Sequence, residues 1–107
     1  MTTTETTLDR LRHLEALYRR GYRSQLVDRS LDKIISLERT AASRQLAELQ
    51  ERLRRLEVQY QMSSTDFYRR FRAGELGDAA DFVEWSAFYE MCESVRRGLD
   101  LLGAEVA

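Results

Sequence analysis

From Gln25 to Gln61 the chain contains neither glycine nor proline, and the 107-residue sequence has no proline anywhere. Nothing in that stretch interrupts a helix, and Ser24 is a fair N-cap for one, so the pattern predicts a single helix over 24–61. At 1.5 Å per residue it would be about 57 Å long, against roughly 25–30 Å across a compact domain of this size. A compact monomer does not accommodate such a helix.

Two apolar patterns follow one another along it. Leu26, Val27, Leu31, Ile34, Ile35 and Leu37 cover a broader arc than a two-helix seam needs, which implies contact on more than one side. Ala42, Leu46, Leu49, Leu53, Leu56 and Tyr60 are then spaced by four and three residues alternately, a heptad seam suited to a coiled-coil dimer through Leu46, Leu49, Leu53 and Leu56. Between the two, Thr40 to Ser43 has the weakest helix formers and is the expected place for a bend.

Three shorter helices flank it. Leu8, Leu11, Leu14, Leu17 and Tyr18 recur at helical spacing after a threonine-rich leader, with Thr6 or Thr7 as cap and Gly21 as the stop. Ser63 to Asp66 is cap chemistry for a short helix that carries Phe67 and Phe71 and stops at Gly74. A tight Gly74-Glu75-Leu76-Gly77-Asp78 loop then delivers Asp78 as the expected N-cap of the last helix, where Phe82, Trp85, Phe88, Cys92, Val95, Leu99 and Leu102 form a seam headed by aromatics. Gly98 and Gly103 do not fit this punctuation. The expected fold is all-α: an elongated helical hairpin or coiled coil with one long central helix and three shorter helices at about 7–20, 24–61, 64–73 and 79–102, dimeric. The expected organisation is a disordered leader over 1–6 and a single helical domain over 7–107.

Composition narrows the function classes. With one cysteine, disulfide frameworks and cysteine-based zinc sites are excluded; with one histidine, a histidine-based catalytic or metal constellation is not expected, nor is any cofactor or metal. No stretch is apolar for long enough to span a membrane, and Met1 to Thr7 lacks the basic and apolar regions of a signal peptide, so the expected location is cytoplasmic. Cys92, at an apolar helix position, reads as a small core residue. The net charge of −1 argues against a uniformly basic nucleic-acid binder, but it hides an asymmetry. Residues 1–62 carry a net +3 and 63–107 a net −4.

Four groups of side chains could carry function. The acids Glu75, Asp78, Asp81 and Glu84 could hold a hard cation or act as paired carboxylates in a metal-dependent enzyme; acids at a helix start more simply complement its dipole. Phe67, Tyr68, Phe71, Phe88 and Tyr89 belong to a dense aromatic segment too large for two short helices to enclose, and they are the candidate partner-binding residues. Phe82, Trp85 and also Phe71 read more simply as core. Arg19, Arg20 and Arg23 flank Tyr22 and could track a phosphate backbone. Arg52, Arg54 and Arg55 are interleaved with Glu48, Glu51 and Glu57, an ordinary solvated helix surface. His13 has no evident partner.

The run from Tyr60 to Trp85, with its Tyr-x-Met-Ser element, Phe-x-x-x-Phe, Gly-Glu-Leu-Gly-Asp loop and Asp-Phe-x-Glu-Trp helix start, resembles a pattern in small bacterial and archaeal helical proteins taken to be antitoxin-like components of toxin–antitoxin modules. The resemblance spans 22–102 and rests on Phe67, Phe71, Gly74, Glu75, Leu76, Gly77, Asp78, Asp81, Phe82, Glu84 and Trp85. It implies no catalytic residue and a small, toxin-like protein partner. The expectation is therefore a non-enzymatic protein–protein interaction module that forms a homodimer; the alternative is a nucleic-acid-binding regulator using Arg19, Arg20 and Arg23.

Overall fold

A computed structural model describes residues 4–103. These form four helices and no strand: α1 (Thr7–Arg19), α2 (Gln25–Tyr60), α3 (Ser64–Arg72) and α4 (Ala80–Leu101). The long central helix and its three shorter companions are where the sequence places them. Residues 1–3 of the expected leader and 104–107 of the expected domain lie outside the described residues. The chain divides into two compact units, 1–33 and 34–107, and α2 is unbroken across the boundary. It is also continuous through Thr40 to Ser43, where the Thr40 hydroxyl donates to the Ser36 carbonyl one turn back at 3.0 Å.

The first unit is a helical hairpin. Thr6 opens α1 with a reciprocal capping box: its Oγ1 accepts the Asp9 amide and its own amide donates to the Asp9 carboxylate, both at 3.1 Å. These bonds hold the Asp9 carboxyl below the ordinary aspartate range. The stop is as specific. Gly21 has φ +92°, its amide donates to the Tyr18 carbonyl and the Tyr22 amide to that of Leu17, a Schellman closure that a Cβ would strain. Ser24 Oγ then accepts the Val27 amide and starts α2. The Tyr18 hydroxyl ties the two helices together, donating to Asp28 Oδ1 at 2.7 Å and accepting the Ser24 amide at 3.1 Å.

The second unit packs α3 and α4 on the rest of α2. Its core is Leu46, Leu49 and Leu53 from α2, Phe67 from α3, and Trp85, Cys92 and Leu99 from α4. The three α4 residues are seven apart, one stripe of the predicted seam. Arg39 donates to the Leu102 carbonyl, Arg52 lies over the Phe88 ring at 5.1 Å, and Tyr60 meets the rings of Phe82 and Trp85 at 5.2 and 5.7 Å. As the α2 number rises, its α4 partner's falls, so the two helices run antiparallel, with α3 in the connection.

The connection holds two cap details, of which the second departs from expectation. α2 ends on Gln61 rather than on a glycine, at φ +52°, with the Met62 amide donating to the Glu57 carbonyl. The N-cap of α4 is Ala79, not Asp78: the backbone turns helical only at Ala80, so the Asp78 carboxylate comes one residue too early and the helix start has no side-chain cap. Leu76 packs against the core and Arg70 pairs with Glu75 at 3.3 Å, which pins the loop before Asp78 is reached. Gly103, unassigned in the sequence, closes α4 with φ +80° and an amide bond to Asp100.

Candidate interaction surfaces

The Leu46, Leu49 and Leu53 seam proposed for a dimer is filled from within the chain. All three side chains are buried against α3 and α4, and Leu56 is partly buried beside them. The heptad spacing is real, but the complementary helix is α4 of the same chain, which supplies the same seven-residue stripe.

The aromatic candidates fall into the same core and its margin. Phe67 is fully buried and stacks on Trp85 with centroids 3.9 Å apart and planes within 4°, so it offers nothing to a partner. Phe71 stacks on Phe67 at 5.4 Å, and Phe88 lies beneath the Arg52 guanidinium. Tyr68 and Tyr89 form a half-buried stacked pair at 4.4 Å, and the Tyr68 hydroxyl donates to Glu90 Oε1 at 2.7 Å. That bond raises the Tyr68 phenol above its ordinary value. A third helix, α2, gives these rings the cover that α3 and α4 alone would lack.

The acidic group does not converge. Glu75 is paired with Arg70, and Asp81 accepts the Tyr60 hydroxyl. Among the described residues no three histidine, cysteine or acidic side chains gather as metal ligands. The Asp81 carboxylate raises the Tyr60 phenol in turn. A groove of about 360 Å³ lies beside Leu53, Ser64 and Cys92, where the Arg96 Nε is buried without a hydrogen-bond partner. Its walls match Arg54 and Arg96 with Glu57 and Glu93, so it selects neither sign of charge. No helix among the described residues is long and apolar enough to cross a membrane.

Arg19, Arg20 and Arg23 close the hairpin of the first unit. Arg19 pairs with Glu15 at 3.5 Å. Arg23 donates to the Tyr22 carbonyl at 2.9 Å and lies over the Tyr18 ring at 5.4 Å. Two of the three are thus engaged in the hairpin itself, where basic side chains suit the negative end of α1. His13, expected to be unpartnered, is hydrogen-bonded to Glu5.

Exposed large apolar side chains remain on both units, among them Ile34, Leu37, Val58 and Leu101 of the second, but on the hairpin no core offsets them. None of its described residues is buried. Leu8, Leu11 and Leu17 of α1 are about half exposed, Leu26 of α2 is 76% exposed, and Tyr22 stands in the turn between them. Leu11, Leu14, Tyr18, Val27 and Leu31 line an almost wholly apolar groove of about 280 Å³ between the two helices. The breadth of the apolar arc around Leu26, Val27 and Leu31 was the sequence signal for it. Leu8 to Leu17 carried the same signal, hidden because residues three apart read as one face although each step turns about 60°.

A scan against protein-family models and searches of curated proteins and of solved structures return no match.

Proposed function

We propose that this chain is a non-enzymatic helical interaction module, antitoxin-like in role, that works as a homodimer and holds a small toxin-like protein encoded by a neighbouring gene. The observation that carries this reading is the first unit: a 13-residue helix turned back on the start of α2 with no buried residue. Isolated helices of that length are marginal in water, and most of their stability comes from packing an apolar face. A hairpin with leucines exposed on both helices therefore gains its stability from further polypeptide laid against it. The second unit, with a closed core and paired acids, supplies the folded body that such a module needs. The free, buried Cys92 suits a reducing compartment such as the cytoplasm.

The test is co-expression with the product of the adjacent gene, followed by size exclusion with light scattering. A complex heavier than either protein is expected. A strictly monomeric chain that retains no neighbour would overturn the reading.

A further inference from the structure

We infer that the apolar face of the 4–33 hairpin is covered by the same face of a second copy, two hairpins closing into an antiparallel four-helix bundle. This rests on the interaction-module reading and names the occupant of that surface.

The width of the apolar arcs sets the number of neighbours. At 100° per residue, Leu17, Leu14, Leu11 and Leu8 fan across about 180° of α1, and Leu26, Val27 and Leu31 across about 140° of α2. A helix that meets one partner needs a stripe of roughly 100°. Each helix of the hairpin therefore has a neighbour inside the hairpin and room for one outside it, the arrangement of a helix in a four-helix bundle. Two further helices are required, joined and spaced like the first two. A second copy brings that pair, with leucines at the same positions.

Area and charge agree. The half-exposed leucines, Tyr22 and the groove lining offer on the order of 600 Å² per copy, hence about 1,200 Å² in a two-fold pair, the lower bound of a specific interface. Charge then selects the direction. Arg19, Arg20 and Arg23 crowd the turn end of the hairpin, whereas at the opposite end of α1 Glu5 and Asp9 are balanced by Arg10 and Arg12. Turns side by side would bring six arginines together. Turns at opposite ends separate the two arginine clusters and set each against a charge-balanced end of the second copy, which removes that repulsion. A two-fold axis across the hairpins gives this arrangement and closes the assembly at two chains.

The experiment is the mass of the full chain by light scattering over a range of concentrations, with Leu11→Glu and Leu26→Glu as separate variants. Trp85 emission, reporting the core of 34–107, serves as the folding control. The expected result is twice 12.6 kDa for the wild type and a shift to the monomer, by tenfold or more in dissociation constant, for each variant with Trp85 emission unchanged. A wild type that is monomeric at micromolar concentration overturns the proposal, and so does a dimer that both variants leave intact. Tyr22→Cys tests direction, since Cys92 is buried: turns at opposite ends give no disulfide-linked dimer on mild oxidation, and a cross-linked dimer overturns the antiparallel arrangement. A dimer that retains no neighbouring gene product defeats the antitoxin-like role alone. A monomer that retains one assigns the face to that protein and defeats this inference and the homodimer, leaving the antitoxin-like role.

Discussion

The indole Nε1–H of Trp85 donates to the Ser64 Oγ at 2.9 Å, and both residues are buried. The bond ties the first residue of α3 to the middle of the core. The same serine's amide donates to Glu57 of α2 at 2.8 Å, so one small residue links three helices.

Ser64→Ala would leave the Trp85 donor without its partner in a site closed to water, at a cost of about 1–3 kcal/mol. The urea midpoint should fall accordingly. Trp85→Phe removes the donor as well, so adding Ser64→Ala to it should cost clearly less than Ser64→Ala alone. Additive losses in that double-mutant cycle would mean the bond contributes nothing specific.

The Tyr60–Asp81 bond gives the fold an alkaline sensitivity. Folded Tyr60 keeps its proton more tightly than the unfolded chain does, because its hydroxyl donates to the Asp81 carboxylate, a bond that ionisation would break. Its contribution is whole below pH about 10 and is lost as pH rises through the folded-state value, since there the unfolded state binds fewer protons. Urea midpoints measured near neutrality and above pH about 10 should fall further for the wild type than for Tyr60→Phe. Equal drops would remove the coupling. Tyr68 with Glu90 should behave alike, and combining both substitutions should flatten the profile further.

Gln61 closes α2 in the left-handed region, at φ +52°, where every other such position described in the chain is a glycine. A non-glycine residue there costs about 1 kcal/mol, partly offset by the Gln61 side chain donating to the Val58 carbonyl. Gln61→Gly removes the strain, loses an exposed bond and adds freedom to the unfolded chain. A net gain of about 0.5 kcal/mol follows, read as a melting temperature higher by a few degrees. A lower melting temperature would show that the side-chain bond outweighs the backbone strain.

The helices were legible because their signals are local: caps at Thr6, Ser24 and Ser63, glycines at 21 and 74, and apolar periodicity between them. What occupies each apolar face was not. The heptads at Leu46 to Leu56 are satisfied equally by a second chain or by α4, and only the Gly74–Asp78 reversal, whose geometry no periodicity encodes, turns α4 back onto them. Phe67 was hidden for the same reason, because α3 inserts it between α2 and α4, whereas Trp85 was legible as core. Asp78 failed as a cap by one residue, a register set by the burial of Leu76.

Gly98 and Gly103, left without a role by the sequence, should respond in opposite directions to alanine. Gly98 lies inside α4 with helical φ, and a Cβ built on it meets nothing within 4 Å. Close packing therefore does not require it, and Gly98→Ala should stabilise by about 0.5–1 kcal/mol through helix propensity. Gly103 has φ +80°, and its Cβ would come within 3.0 Å of Arg39 Nη2, the guanidinium that closes α4 by binding the Leu102 carbonyl. Gly103→Ala forces either the backbone or that guanidinium to move, at about 1 kcal/mol. Thermal unfolding followed by circular dichroism should separate the two variants by several degrees on either side of the wild type. With Arg39→Met as background the penalty at Gly103 should shrink but not vanish, because the steric part depends on Arg39 and the φ part does not.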